Sequence, residues 1–224
     1  MGRSPLSPPF VDAVTGVTNL RTIYDKSNAM DRNLGRYYYY DFGNRVYQTA
    51  MRYGCESSTT ACGVYAALSP NNSERSNLED MARAISTFQG ALSSLDNRWE
   101  RLVVRTYGKN KAKALEILKG ANPDAVLKGP KTNAFYHNLL NPDDPYVTVD
   151  GHMANIWNGV RVPLDLAGIN LEQYQTIVGG IRELAAEVEM LPCQLQSTLW
   201  GTWRRIHRIF YNPQYELDFG EEDC

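Results

Sequence analysis

One stretch, VLKGPKTNAFYHNLLNPDDPYVTVDGHMANIW from residue 126 to 157, constrains the fold of this chain more than any other. A Gly129-Pro130 corner precedes Lys131 and Thr132, and the residues after it carry Phe135 and Leu139 four apart, on one helical face. Pro at a first helical position is tolerated because its missing N–H had no intrahelical partner to lose. After the turn-rich Asn141-Pro142-Asp143-Asp144-Pro145 comes a short β-prone run, 146–149. Asp150 then stands where an N-cap belongs, before a helix over 150–157. Two helix mouths therefore lie in one short segment, with Lys131 at one and Asp150 at the other, nineteen positions apart.

The remaining chain reads as helical too. Residues 59–68 form a small-residue helix suited to burial, and Ser69-Pro70-Asn71-Asn72 breaks it. Leu78, Met81, Ala82, Ile85 and Phe88 recur at helical spacing over 76–92. A Tyr-rich segment, 37–54, becomes helical. A long helix is expected over 99–120, interrupted near Tyr107-Gly108 and stopped by Gly120. Asn122-Pro123-Asp124 starts a short helix by the cap-plus-Pro rule. Two amphipathic helices finish the chain: 171–190, with Ile177, Ile181, Leu184 and Val188, and 192–210, with Leu195, Leu199, Trp203, Ile206 and Phe210. The expected class is all-α, with strand signals confined to 146–149 and no internal repeat. Residues 1–35, rich in Pro, Ser, Asn and charge, read as an extended arm; 36–212 as the helical domain; 213–224 as an acidic tail.

Composition excludes some classes. At 224 residues with 43% hydrophobic and 21% charged residues, the chain can bury a full core. No apolar run approaches the roughly eighteen residues of a membrane span, so no membrane association is expected. The start, MGRSPLSPPF, lacks the apolar core of a signal peptide, and a cytoplasmic location follows as an expectation. A formal charge of −2 argues against a globally basic nucleic-acid binder. Local basic runs are present nonetheless. Lys109, Lys111, Lys113, Lys119, Lys128 and Lys131 face only Glu116 and Asp124, and Arg204, Arg205, Arg208 and His207 form a second cluster. Such runs are either solvated helix faces or grips for phosphates. Cys55, Cys62, Cys193 and Cys224 lack metal-ligand spacing, and no second His stands at ligand spacing from His152, so no metal is expected.

The Gly129-Pro130-Lys131-Thr132 turn and the Val149-Asp150-Gly151-His152-Met153 run resemble the active-site core of the helix-hairpin-helix DNA glycosylase superfamily. There a "GxGxK(T/V)" hairpin is followed some twenty residues later by a "VDxHM/I" segment. The hairpin here is shorter than the family's. The resemblance spans about 61–159 and implies two helical lobes flanking a DNA cleft. It implies Lys131 as nucleophile or cation, and Asp150 as both helix cap and stabiliser of an oxocarbenium-like sugar. It also implies DNA contacts by Lys128, Gly129, Pro130, Thr132 and His152. Leu68-Ser69-Pro70-Asn71-Asn72 resembles the family's wedge turn, with Asn71 filling the gap left by an extruded base and Asn72 beside it. Tyr136, Tyr146 and Trp157 are candidates to stack on that base. For each residue a plain structural role stands alongside: cap for Asp150 and Asn71, surface cation for Lys131, core for the aromatics.

The same wording looks like a phage branch of this superfamily linked to thymine hypermodification, the pyrophosphorylase or amino acid:DNA transferase type. Three functions follow as expectations. The first is a DNA N-glycosylase with or without strand cleavage. The second is a transferase that displaces pyrophosphate from an activated 5-hydroxymethyl pyrimidine, with an amino acid as co-substrate. The third is a non-catalytic DNA-binding protein. The expected partner is double-stranded DNA carrying a modified or damaged base, the expected form is a monomer, and a phage-encoded protein would act in the host cytoplasm. No cofactor is expected, and no iron–sulfur cluster, because the family's four clustered cysteines are missing.

Overall fold

The computed structural model describes residues 9–92 and 98–209. Eleven α-helices are found among them: α1 (Ala13–Asp25), α2 (Ala29–Arg52), α3 (Ser58–Leu68), α4 (Glu74–Leu92), α5 (Arg98–Arg101), α6 (Gly108–Leu118), α7 (Pro123–Val126), α8 (Pro130–Leu140), α9 (Gly151–Trp157), α10 (Leu171–Glu187) and α11 (Pro192–Ile206). The described residues contain no strand, so the protein is all-α. The β-prone residues 146–149 are extended without a partner strand, because their backbone is satisfied by a side chain of α10 instead.

Caps set most of the boundaries. Ser57 accepts from Thr60 N–H at the start of α3, Asn122 from Asp124 N–H ahead of Pro123, and Asp150 from Met153 N–H ahead of α9. Asn170 and Gln173 close a reciprocal capping box on α10. Gly120 ends the α6 region at φ +97°, a conformation that glycine adopts without strain.

The expected arm over 1–35 is corrected for its described part. Residues 13–25 form α1, capped by Asp12 through Thr15 N–H, and α2 opens at Ala29 through a capping box of Asn28 and Asp31. The buried face of α1 is only Gly16, Leu20 and Ile23, too sparse a stripe to stand out among Thr and Asn. The long helix expected over 99–120 is also corrected: residues 102–107 are not helical. Their backbone turns toward α4 and the wedge-like turn, where Arg105 N–H donates to the buried Asp80 carboxylate (2.7 Å) and the Thr106 hydroxyl to the Pro70 carbonyl (2.8 Å). The acidic tail and Phe210 lie outside the described residues.

Two hydrophobic clusters result. One is built almost entirely from α2 to α8, around Phe42, Val46, Leu68, Met81, Ile85, Ile117 and Leu127. The other joins α1 to α9, α10 and α11, around Leu20, Met153, Ile156, Trp157, Ile177, Ile181 and Leu199. Helix α2 ties them together by lying against α11. A Cβ on Gly35 would fall 2.0 Å from Thr198 Oγ1, the Tyr39 hydroxyl donates to Gln196 Oε1 (2.8 Å), and Arg205 forks onto Asp31 (2.6–3.1 Å).

Candidate functional site

The short α7–α8 hairpin is held from both ends. Leu127 and Val126 are buried at its corner, and the Asp124 carboxylate bonds Asn133 Nδ2 (2.8 Å) and His137 Nε2 (2.7 Å) on α8. Gly129 is the N-cap and Pro130 the first helical residue, so Lys131 stands in the first turn of α8 with its side chain exposed. Lys128 is exposed beside it, and the Thr132 hydroxyl is turned back to the Gly129 carbonyl (3.3 Å).

Helix α9 begins next to this corner. The Tyr174 hydroxyl, on α10, donates to the Val147 carbonyl (2.8 Å), accepts from Val149 N–H (3.3 Å) and lies 3.3 Å from the Pro130 carbonyl. One phenol thus clamps the residue before Lys131 to the residue before Asp150. Burial pushes that phenol up to about 12, so it stays protonated as the clamp requires.

Asp150 is held by both of its oxygens. Oδ1 accepts from Met153 N–H (2.9 Å), while Oδ2 accepts from the Trp200 indole N–H (3.1 Å) of α11. The Arg204 guanidinium lies 4.2 Å over the Trp200 ring, and the Tyr38 ring of α2 stands 6.1 Å from it. Beyond Tyr38, Glu74 at the start of α4 pairs with Arg45 (2.6 Å). Burial raises the Glu74 pKa against the pull of Arg45 and Arg204. Its side chain is still 42% exposed, so this is the desolvation of a recess, not of the core. A run of neighbouring polar and aromatic side chains therefore links Asp150, Trp200 and Arg204 with Tyr38 of α2, near the Glu74–Arg45 pair.

His152, two residues beyond Asp150 on α9, stands edge-on to the Trp200 ring (6.3 Å). It is buried, its Nδ1 makes no hydrogen bond, and burial lowers its pKa. The Asp150 carboxylate opposes that shift; Arg204, Lys131 and Arg161 reinforce it. Lys131 and Asp150 are consequently both within electrostatic reach of one imidazole.

The other expected site residues are distributed differently. Trp157 is fully buried, packed by Phe10 and by Gly16 and Gly180, which leave no room for a Cβ beside its ring. Tyr136 is buried in the α2–α8 cluster. Both are corrected from base-stacking candidates to core, as aromatics on tightly packed helices usually are. Tyr146 lies flat on His137 (3.8 Å, 2°) and lines a cavity of about 360 Å³ with Pro130 and Tyr174. Asn71 is exposed at a left-handed turn (φ +57°), and its amide donates to the Tyr107 hydroxyl (2.5 Å). The Asn72 amide is bound internally to Asp80 Oδ2 (3.0 Å), which corrects its expected DNA contact to a brace of the turn. Arg205 and Lys111, from the two basic runs, likewise serve the fold. Arg205 pairs with Asp31, and the Lys111 ammonium caps the Leu102 carbonyl (2.6 Å).

Sequence reasoning passed over Trp200, Tyr38, Glu74 and Tyr174. The one local signal was the i, i+4 pair Trp200–Arg204, lying just off the apolar stripe of α11.

Taken together, these features define an all-α protein built around two hydrophobic clusters. Residues 11–207 match the family of unknown function DUF7178, and the chain belongs to that family. No curated protein and no solved structure matches it. No helix among the described residues is long and apolar enough to cross a membrane. None of their His, Cys, Asp and Glu side chains form a group of three or more able to hold a metal ion.

Proposed function

We propose that this protein acts on a nucleotide swung out of double-stranded DNA, and that it is an N-glycosylase working through Lys131 and Asp150. The observation that carries the reading is the Tyr174 clamp, which joins the two helix mouths so that Lys131 and Asp150 bear on the same imidazole. In this reading the bond between C1′ and the base breaks, and the electron pair leaves with the base. The Asp150 side chain, fixed by Met153 N–H and Trp200 N–H, stabilises the positive sugar. Water then adds at C1′ and gives up its proton to Asp150. Lys131, exposed at the rim, holds the flanking phosphate as an ammonium or attacks C1′ as an amine.

A second reading, the amino acid:DNA transferase, is favoured by a different observation. Three cations, Arg204, Lys131 and Arg161, bear on His152 beside the single carboxylate of Asp150. Such an excess of positive charge suits a departing pyrophosphate. The incoming amine would form a bond to the exocyclic carbon of the pyrimidine as the C–O bond to pyrophosphate breaks, leaving the glycosidic bond intact.

Mass spectrometry of nucleosides separates the two. Duplexes carrying hydroxymethyluracil or its pyrophosphorylated form are incubated with the protein, with and without amino acids, beside Lys131→Ala and Asp150→Asn. Free base with an abasic site identifies the glycosylase. A nucleoside that keeps its sugar and gains an amino acid's mass identifies the transferase. No change across a broad set of modified bases would sink both.

A further inference from the structure

A recess of about 260 Å³ lies between α1, the end of α9 and α11. Lys26 at the end of α1, Arg161 after α9 and His207 at the end of α11 line it, together with Asn19, Thr22 and Trp203. No acidic residue lines it. The Arg161 guanidinium is fixed by donating one N–H to the His207 carbonyl (3.1 Å). Trp203 is 4% exposed, and its indole N–H is buried without a hydrogen-bond partner. Asp31, at the start of α2, is paired with Arg205.

We propose that this recess is a binding site for a phosphate-type oxyanion, held by Lys26, Arg161 and His207. Cations gathered in a recess without a counter-charge repel one another. A tetrahedral oxyanion relieves this, since its oxygens accept from guanidinium and ammonium donors at once. The titration of His207 agrees. Burial lowers its pKa first, and the charges of Arg161 and Lys26 lower it further, with no carboxylate acting against them. Arg161 also bears electrostatically on His152. The site does not depend on which reaction Lys131 and Asp150 carry.

The chain has only three histidines, which makes the imidazole resonances a direct readout. The full-length protein is titrated with sulfate, whose charge is constant over the range, and with inorganic phosphate, against chloride at matched ionic strength. A duplex oligonucleotide forms a separate arm. The expected result is a saturable shift of the His207 signals and a rise in its pKa, with at least tenfold weaker binding in Lys26→Ala/Arg161→Ala. Both substituted residues are exposed, and the unchanged signals of His137 would verify that the double variant is folded. A response to inorganic anions alone marks a free phosphate ligand; a response to the duplex at far lower concentration marks a DNA backbone phosphate. No saturable shift beyond that of chloride, in any arm, overturns the site. So does an unchanged affinity in the double variant or in Lys26→Gln.

Discussion

Trp200 and Asp150, fifty residues apart, meet through a single hydrogen bond from indole Nε1 to carboxylate Oδ2 (3.1 Å). The Met153 N–H already holds Oδ1, so α11 fixes the oxygen that the cap of α9 leaves over. Trp200→Phe keeps a ring under Arg204 and beside Tyr38 but frees Oδ2. On the proposed glycosylase reading, turnover on the modified duplex should fall by roughly tenfold or more, since small misplacements of a reacting group are costly, while the unfolding midpoint hardly moves. Single-turnover kinetics alongside urea denaturation check both halves.

In the proposed glycosylase Asp150 would do two jobs that substitution can separate, capping α9 and carrying the reaction. Asn caps a helix about as well as Asp, whereas Ala costs about 0.5–2 kcal/mol. Asp150→Asn should retain stability and lose activity; Asp150→Ala should lose both. Chemical denaturation of the two variants, read beside nucleoside analysis, distinguishes the cap from the charge.

Tyr174→Phe removes the hydroxyl that clamps the two helix mouths. The buried Val147 carbonyl and Val149 N–H each lose a partner, and a group left unsatisfied in this way costs about 1–3 kcal/mol. A lower denaturation midpoint is expected, with faster hydrogen exchange at Val149.

Gly35→Ala should be among the most damaging small changes in the protein. The new methyl group would lie 2.0 Å from Thr198 Oγ1 and 2.7 Å from its backbone nitrogen, so α2 and α11 would have to move apart. Overpacking of this kind costs about 1–3 kcal/mol, and sometimes more. Thermal unfolding followed by circular dichroism measures it.

Acid should destabilise the fold before the carboxylates titrate. The folded pKa of His152 lies below its ordinary 6.5, so the unfolded chain takes up the proton more readily. Stability therefore rises with pH between the folded value and 6.5, and is lost as pH falls through that window. His152→Gln should flatten the slope in part, with the remainder coming from His207, which is depressed in the same direction. Denaturation midpoints of both proteins across that window supply the comparison.

Much of this architecture is readable residue by residue. Asp150 as a cap, Asn122-Pro123 as a helix start and the stripes of α10 and α11 are local patterns, and local patterns survive folding. Helix α1 was hidden because its contact face rests on a glycine, Gly16, pressed against the Trp157 ring, and no periodicity of large apolar residues marks such a contact. The candidate site was half readable for a similar reason. Lys131 and Asp150 belong to one segment with recognisable turns, whereas Tyr38, Glu74, Tyr174 and Trp200 come from four helices and acquire meaning only through their mutual positions. Trp157 shows the reverse error: an aromatic in a suggestive segment was claimed by the core.

The division of the core into two clusters also sets an order of events during synthesis. Helices α2 to α8 are contiguous and can collapse on one another as they emerge. Helix α1, made first, must wait for α9, which begins only at Gly151, before Gly16 finds the ring of Trp157. At ribosomal speeds of about 5–20 residues per second, that interval is on the order of ten seconds. For that time Leu20 and Ile23 have nowhere to go, and the nascent chain is open to chaperones and proteases at α1.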